Sequence, residues 1–199
     1  MNDAHVGRVL VAALHQAITE ELPTRIDFYE HWLLGERLRD GGVQLAPMSA
    51  VLGFLRAEGA PYHVVMRKAG ALAADWTVGA LPAMRRKTLG MLPAWWRARA
   101  VLKLAAKAVI DGYPQSRAVV KVRRGQARIE IHHSLFCRVR EAQPAAQCDF
   151  HVAMISGMLA AFDLPAAGVI EGCAGSGGGA CVVTVDLTAP ALPVEVASS

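Results

Sequence analysis

Three cysteines and a glutamate, Cys148, Glu171, Cys173 and Cys181, fall in the last quarter of this 199-residue chain. Cys148 opens the apolar run CDFHVAMISGMLAAF, and the other three lie in VIEGCAGSGGGACVVTV. Cys173 and Cys181 flank a glycine-rich turn that can bring two strand ends together beside a helix start. Three thiolates and a carboxylate converging there form a donor set that zinc takes in tetrahedral geometry. The same cysteines also read as small buried apolar residues, since free Cys is among the most buried types.

Other chemistry is sparse. His132 and His133 are neighbours on a predicted strand and face opposite ways, so at most one, assigned here to His132, lines a given pocket. The chain has no His-Glu-x-x-His helix and no Ser-centred nucleophile elbow. AGSGGGA lacks the Lys-Ser/Thr of a phosphate loop and joins two strands, so it reads as a hairpin turn. No dinucleotide fingerprint appears, which weighs against a self-contained nicotinamide-dependent reductase and favours a non-catalytic role. Trp95 and Trp96 stand beside Arg97 and Arg99. Such a surface can stack and charge-pair with a flat acidic ligand such as a tetrapyrrole. As packing, one Trp would fill core and the other an interface.

Apolar residues make up 53% of the chain, and the mean hydropathy is +0.29. That is rich for a globular protein and allows a large core, an apolar ligand pocket or a dimer interface. No apolar run is long enough to span a bilayer. The first residues do not read as a secretory signal, because Asp3 comes early and His15 and Gln16 interrupt the apolar stretch. The expectation is therefore a cytoplasmic protein whose cysteines are thiols or metal ligands rather than disulfides. The net charge is +4. Arg85, Arg86, Lys87, Arg97, Arg99, Lys103 and Lys107 crowd one stretch, and Arg99, Lys103 and Lys107 share a helix face. A solvated helix face is the expected reading, ahead of a nucleic-acid or membrane-surface patch, and no nucleic-acid motif is present.

The elements that must hold these groups change character along the chain. Residues 1–112 read as helices. Val6, Val9, Leu10, Ala13, Leu14, Ile18 and Leu22 form an apolar stripe ended by Pro23. Further helical runs follow at 25–40, 47–59 and 61–81, and from 84 to 110 with an interruption at Pro93. Residues 113–187 read as a hairpin around RRGQ, a helix over 148–162 and a second hairpin carrying the glycine-rich turn. The segment 188–199 has no periodicity and reads as an extended tail. Helices first and a small antiparallel sheet later predict an α+β fold, with residues 1–187 as a single domain.

The order of residues over about 118–187 resembles the 4-vinyl reductase domain family. A strand ends in IEIHHSLFC; a Cys then opens a glycine-containing helix, and EGCAGSGGGACVVTV follows. The family belongs with TRAPP vesicle-transport subunits and haem-based nitric oxide sensors in one structural superfamily. The resemblance implies helices packed on an antiparallel sheet, an internal apolar pocket and a homodimer. Some members are tied to bacteriochlorophyll synthesis, and others are phenol-sensing domains of transcription activators that hold zinc through Cys, Glu, Cys and Cys. Carried over, those ligands are Cys148, Glu171, Cys173 and Cys181. Only Gly172 separates Glu171 from Cys173, one residue fewer than the family pattern. In an irregular turn Glu171 would be redirected, and Cys137, His151 or water would complete the set.

The expectation is thus a small-ligand sensor or carrier domain for an apolar or aromatic molecule, with a structural zinc site and with Trp95, Trp96 and His132 as ligand contacts. The alternatives are an accessory protein or reductase in tetrapyrrole metabolism and a TRAPP-like assembly module. No DNA-binding or ATPase module is read in the sequence, so a sensing role implies a protein partner.

Overall fold

Apolar residues at helical spacing, punctuated by Pro and Gly, make the N-terminal half helical. The computed structural model describes residues 5–33, 43–139, 141–165 and 167–188. Helix α1 (Arg8–Glu21) buries Leu10, Ala13, Leu14 and Ile18 of the predicted stripe, and Pro23 follows its end. Val9 departs from the stripe and faces outward. Then come α2 (Ile26–Leu33), α3 (Leu45–Ala57), α4 (Ala60–Gly79), α5 (Ala83–Met91) and α6 (Ala94–Gly112). Pro93 separates α5 from α6, as its lack of an N–H requires. A two-residue pairing of β1 (His5–Val6) with β2 (Val43–Gln44) is too short to leave a period in the sequence. The part of the second predicted helix beyond Leu33, and the predicted tail beyond Thr188, lie outside the described residues.

The C-terminal half supplies the main sheet. Strands β3 (Arg117–Arg123) and β4 (Gln126–His132) form the predicted hairpin. Arg124 and Gly125 both have positive φ, 51° and 80°. That is the two-residue turn whose twist matches flanking antiparallel strands. Helix α7 (Asp149–Ala160) leads to β5 (Gly168–Gly172) and β6 (Cys181–Asp186). The four strands run in the order β3-β4-β6-β5, all antiparallel, so β6 joins the two hairpins by pairing with β4.

The fold is α+β. One sheet face carries Ala127, Ile129, Ile131, Val183 and Val185, all buried. Across it α6 packs on β3 and α7 on β5. Helix α4 lies between α1 and α7. Its approach to α7 depends on Gly70, where a Cβ would strike the Phe150 carbonyl oxygen. The opposite face is polar: Lys121 and Arg128 both reach Glu130, at 3.0 and 3.1 Å. Among the described residues no helix is long and apolar enough to cross a membrane.

Candidate metal centre and ligand cavity

Four sulfurs meet at one end of the sheet. Cys137 closes the 3-10 turn after β4, Cys148 caps the N-terminus of α7, Cys173 follows β5, and Cys181 starts β6. Their Sγ atoms all lie within 4.8 Å of one another. Cys137 is 3.3 Å from Cys148, 3.4 Å from Cys173 and 3.2 Å from Cys181, and Cys148 is 3.3 Å from Cys173. All four thiols are free. Tetrahedral zinc with bonds of about 2.3 Å separates its sulfurs by about 3.8 Å. The cluster therefore needs only a few tenths of an ångström of outward motion per sulfur to hold such an ion.

The surroundings favour the thiolate at two of the four sulfurs, Cys173 and Cys181. The N–H of Gln147 donates to Cys173 Sγ at 3.2 Å. Cys148 sits at the positive end of α7, which also favours negative sulfur. Hydrogen bonds from Cys137 and Cys148 hold Cys173 and Cys181 below the ordinary thiol range. Cys148, which donates to Cys173, is pushed up by its hydrogen bonds with the other three sulfurs and by burial, and Cys137 is pushed up as well. Loop geometry keeps the ends together: Gly177, at φ +96°, makes the turn between Cys173 and Cys181, and Gln143 N–H donates to the Gly175 carbonyl at 2.7 Å. The start of α7 is tied to α4 through Asp149, 2.9 Å from His63 Nδ1 and 3.3 Å from Arg67 Nη1.

Glu171 is not among the four. The register of β5 on β6 slips between Ile170 and Gly172, so Glu171 sits in a bulge. A bulge breaks the two-residue alternation on which a shared face with Cys173 depends. Cys173 turns inward and is buried, while Glu171 is exposed and lies 2.6 Å from Arg128 Nη1. Cys137, the alternative that the sequence offers, occupies the fourth place. His151, the other alternative, turns away from the cluster, its Nε2 2.9 Å from Ser134 Oγ.

A cavity of about 350 Å³ adjoins the cluster. The turn that presents Cys137 to the sulfurs presents Phe136 to the cavity, and the helix capped by Cys148 brings Phe150, His151 and Met154. Trp76 and Tyr113 complete the larger wall groups, and Arg8, Val9 and Asp111 stand at the exposed edge. Its polar wall groups mostly have partners: Thr77 Oγ1 donates to Ala73 O at 2.6 Å, Ser116 Oγ to His133 O at 3.2 Å, and Tyr113 OH to Gln115 Oε1 at 2.6 Å. His151 is the exception. It is 3% exposed, and its Nδ1 is buried without a partner. Burial lowers its pKa to about 4, so the ring is neutral near pH 7. The only partner of the buried Ser134 hydroxyl among the described residues is His151 Nε2. With the hydroxyl donating, one group stays unsatisfied, the Nδ1–H; the reverse arrangement leaves two. The imidazole, one of the cavity's wall residues, thus carries one unpartnered hydrogen-bond donor.

The aromatic and histidine contacts expected from the sequence lie elsewhere. Trp95 and Trp96 are exposed at the start of α6, 45% and 57%, and do not line the cavity. His132 is on the sheet face of Arg128 and Glu130, away from the cavity. His151, in the first helical turn after the Cys148 cap, was the sequence signal for the unpartnered polar group of the cavity wall.

Helices packed on an antiparallel sheet in this order form an α+β fold that a solved structure shares. The chain is similar to the phenol-responsive sensory domain of the transcription activator PoxR, a crystal structure with phenol. The TM-score is 0.51 at 14% identity, over 72% of this chain and 74% of that one. At that identity the likeness is one of fold. The sequence matches no family model and no curated protein.

Proposed function

We propose that this chain is a small-molecule sensor or carrier domain of the 4-vinyl reductase type, with a structural zinc ion held by Cys137, Cys148, Cys173 and Cys181. The observation that carries the reading is the apolar cavity of about 350 Å³ with a single unpartnered buried imidazole. Its volume lies at the small end of ligand pockets and suits a one-ring molecule better than a four-ring pigment. The donor on His151 would fix a ligand through one oxygen, and Phe136, Phe150, Trp76 and Met154 would enclose the ring. The neutral imidazole brings no charge to hold a carboxylate. The likeness of fold to a phenol-responsive domain supports the ligand class.

Four thiolates leave no open position for water or substrate, so zinc would supply fold stability rather than catalysis. It would fix the turn at Cys137 to the start of α7, two segments that also wall the cavity. Ligand occupancy and metal site are then mechanically joined. A homodimer, as in the resembling family, belongs to the same reading.

The test is titration of purified protein with phenol, benzaldehyde and toluene by calorimetry, alongside elemental analysis. Saturable binding of the oxygenated rings, toluene weaker, with near-stoichiometric zinc is the expected result. Absence of binding by all three would remove the ligand reading and leave the metal reading to stand on the elemental analysis alone.

A further inference from the structure

Helix α5 is a short helix with almost nothing holding it. It has nine residues and buries none of them; only Leu89 packs partly against the core. Helices this short are marginal in water and take their stability from packing. Yet α5 and the start of α6 turn their large apolar groups outward. Met84 and Met91 are each 76% exposed, and Trp95 and Trp96 follow at 45% and 57%. Met84 and Met91 are seven residues apart and share one face of α5. The pair of helices is held in a fixed relation by Arg97, whose Nη1 donates to the Gly90 carbonyl at 2.9 Å.

Charge on this projection has one sign. Arg85, Arg86 and Lys87 lie on α5, Arg99 and Lys103 on α6, and no carboxylate occurs between Asp75 and Asp111. The Arg99 guanidinium lies 6.0 Å from the Trp95 ring centroid, so cation and indole are presented together. None of these groups belongs to the cysteine cluster or the cavity.

We infer that the α5–α6 projection docks on the surface of an anionic lipid bilayer, with Met84, Met91, Trp95 and Trp96 entering the interface and the cations meeting the headgroups. Three features select this occupant. Interfacial helices combine an apolar face, indoles and a Lys/Arg-rich flank. A second copy meeting this face across a two-fold axis would set cations against cations. Nucleic acid would match the charge and leave both methionines unmatched.

The experiment is co-sedimentation with vesicles of phosphatidylcholine plus phosphatidylglycerol, against vesicles of phosphatidylcholine alone. Binding to the anionic vesicles only, weakened by added salt, is expected. Arg85→Glu/Arg86→Glu should lower the partition coefficient by about 30-fold or more. Trp95→Ala/Trp96→Ala should weaken it comparably. Both variants alter exposed side chains, so melting temperature and ligand binding should be unchanged. Failure to sediment with either vesicle overturns the inference, as does equal sedimentation with both that ignores the charge reversals. A wild-type dimer that ignores vesicles and becomes a monomer in Trp95→Ala/Trp96→Ala also overturns it and gives the face to a second copy. Retention of duplex DNA, without vesicle binding, gives it to nucleic acid instead.

Discussion

Cys137 Sγ lies 3.2 Å from Cys181 Sγ, although the two are 44 residues apart in the chain. Glu171, only two residues from Cys173, reaches Arg128 on the polar side of the sheet. Proximity in sequence and membership in the cluster are thus decoupled by the bulge in β5. The decisive comparison is Cys137→Ser against Glu171→Gln. The first removes a sulfur from the set and should lower bound zinc and stability by several kcal/mol, since structural metal binding is coupled to folding. The second breaks an exposed ion pair and should change stability by no more than about 1 kcal/mol, with metal content intact. Elemental analysis and thermal melts of both proteins check this, and the opposite pattern would return Glu171 to the site.

Tyr62 links α4 to the cysteine cluster without touching a sulfur. Its hydroxyl donates to the Gln147 carbonyl at 3.2 Å, and the Gln147 N–H donates to Cys173. Tyr62→Phe leaves a buried carbonyl unpaired and should cost about 1–3 kcal/mol. Burial also pushes the Tyr62 phenol well above its ordinary value of 10.0. The folded state therefore holds its proton where the unfolded chain begins to lose it. That contribution is complete below pH 10 and is lost as pH rises further. Denaturant melts from pH 9 upward should fall less steeply in Tyr62→Phe than in the native protein. Parallel curves would show that this hydroxyl carries no linkage.

The helical half, both hairpins and α7 were legible because their apolar residues repeat with the right period, and Pro93 and the glycine-rich turn mark real boundaries. The cysteines were legible as a group for a different reason: thiols flanking a glycine-rich hairpin turn beside a helix start have few roles besides metal binding and packing. Which of them met was not legible. A bulge has no composition signature, so the sequence does not show that Glu171 leaves the side of Cys173. The cavity was less visible still. It is assembled from α1, α4, α6 and α7, and its one unpartnered polar group follows from contacts between Ser134 and His151, which no local pattern encodes. Trp95 and Trp96 drew notice as a ligand surface, and the fold leaves them outside the cavity on a projection of their own.

Gly70 sets the distance between α4 and α7, two of the helices that wall the cavity. A Cβ there meets the Phe150 carbonyl oxygen and would also lie 2.8 Å from the Ala153 Cβ. Neither neighbour is the end of a flexible side chain, so Gly70→Ala must spread α4 from α7. Overpacking of this kind costs about 1–3 kcal/mol, set against a gain in helix propensity of under about 1 kcal/mol. The melt should fall, and ligand affinity should fall with it because Phe150 moves. A variant as stable as the native protein would mean that the helices can slide without opening.

His151→Leu tests the donor itself. It removes an unpartnered buried N–H and leaves the Ser134 hydroxyl unpaired, so the stability changes oppose each other and the net effect near pH 7 should be small. Affinity for phenol or benzaldehyde should fall about tenfold, the weight of one hydrogen bond, while toluene binds as well or better. The acid limb gives an independent check. The folded-state pKa of His151 is lowered from 6.5 to about 4 by burial. Below pH 6.5 the unfolded chain takes up a proton that the folded chain refuses, so stability falls as pH drops from 6.5 toward 4. The leucine variant lacks that group and should lose less stability than the native protein across this window. Zinc loss at low pH affects both proteins alike and cancels in the difference. Equal losses of affinity for all three rings would make His151 a packing residue, and selective loss for the oxygenated rings assigns it the recognition of the ligand.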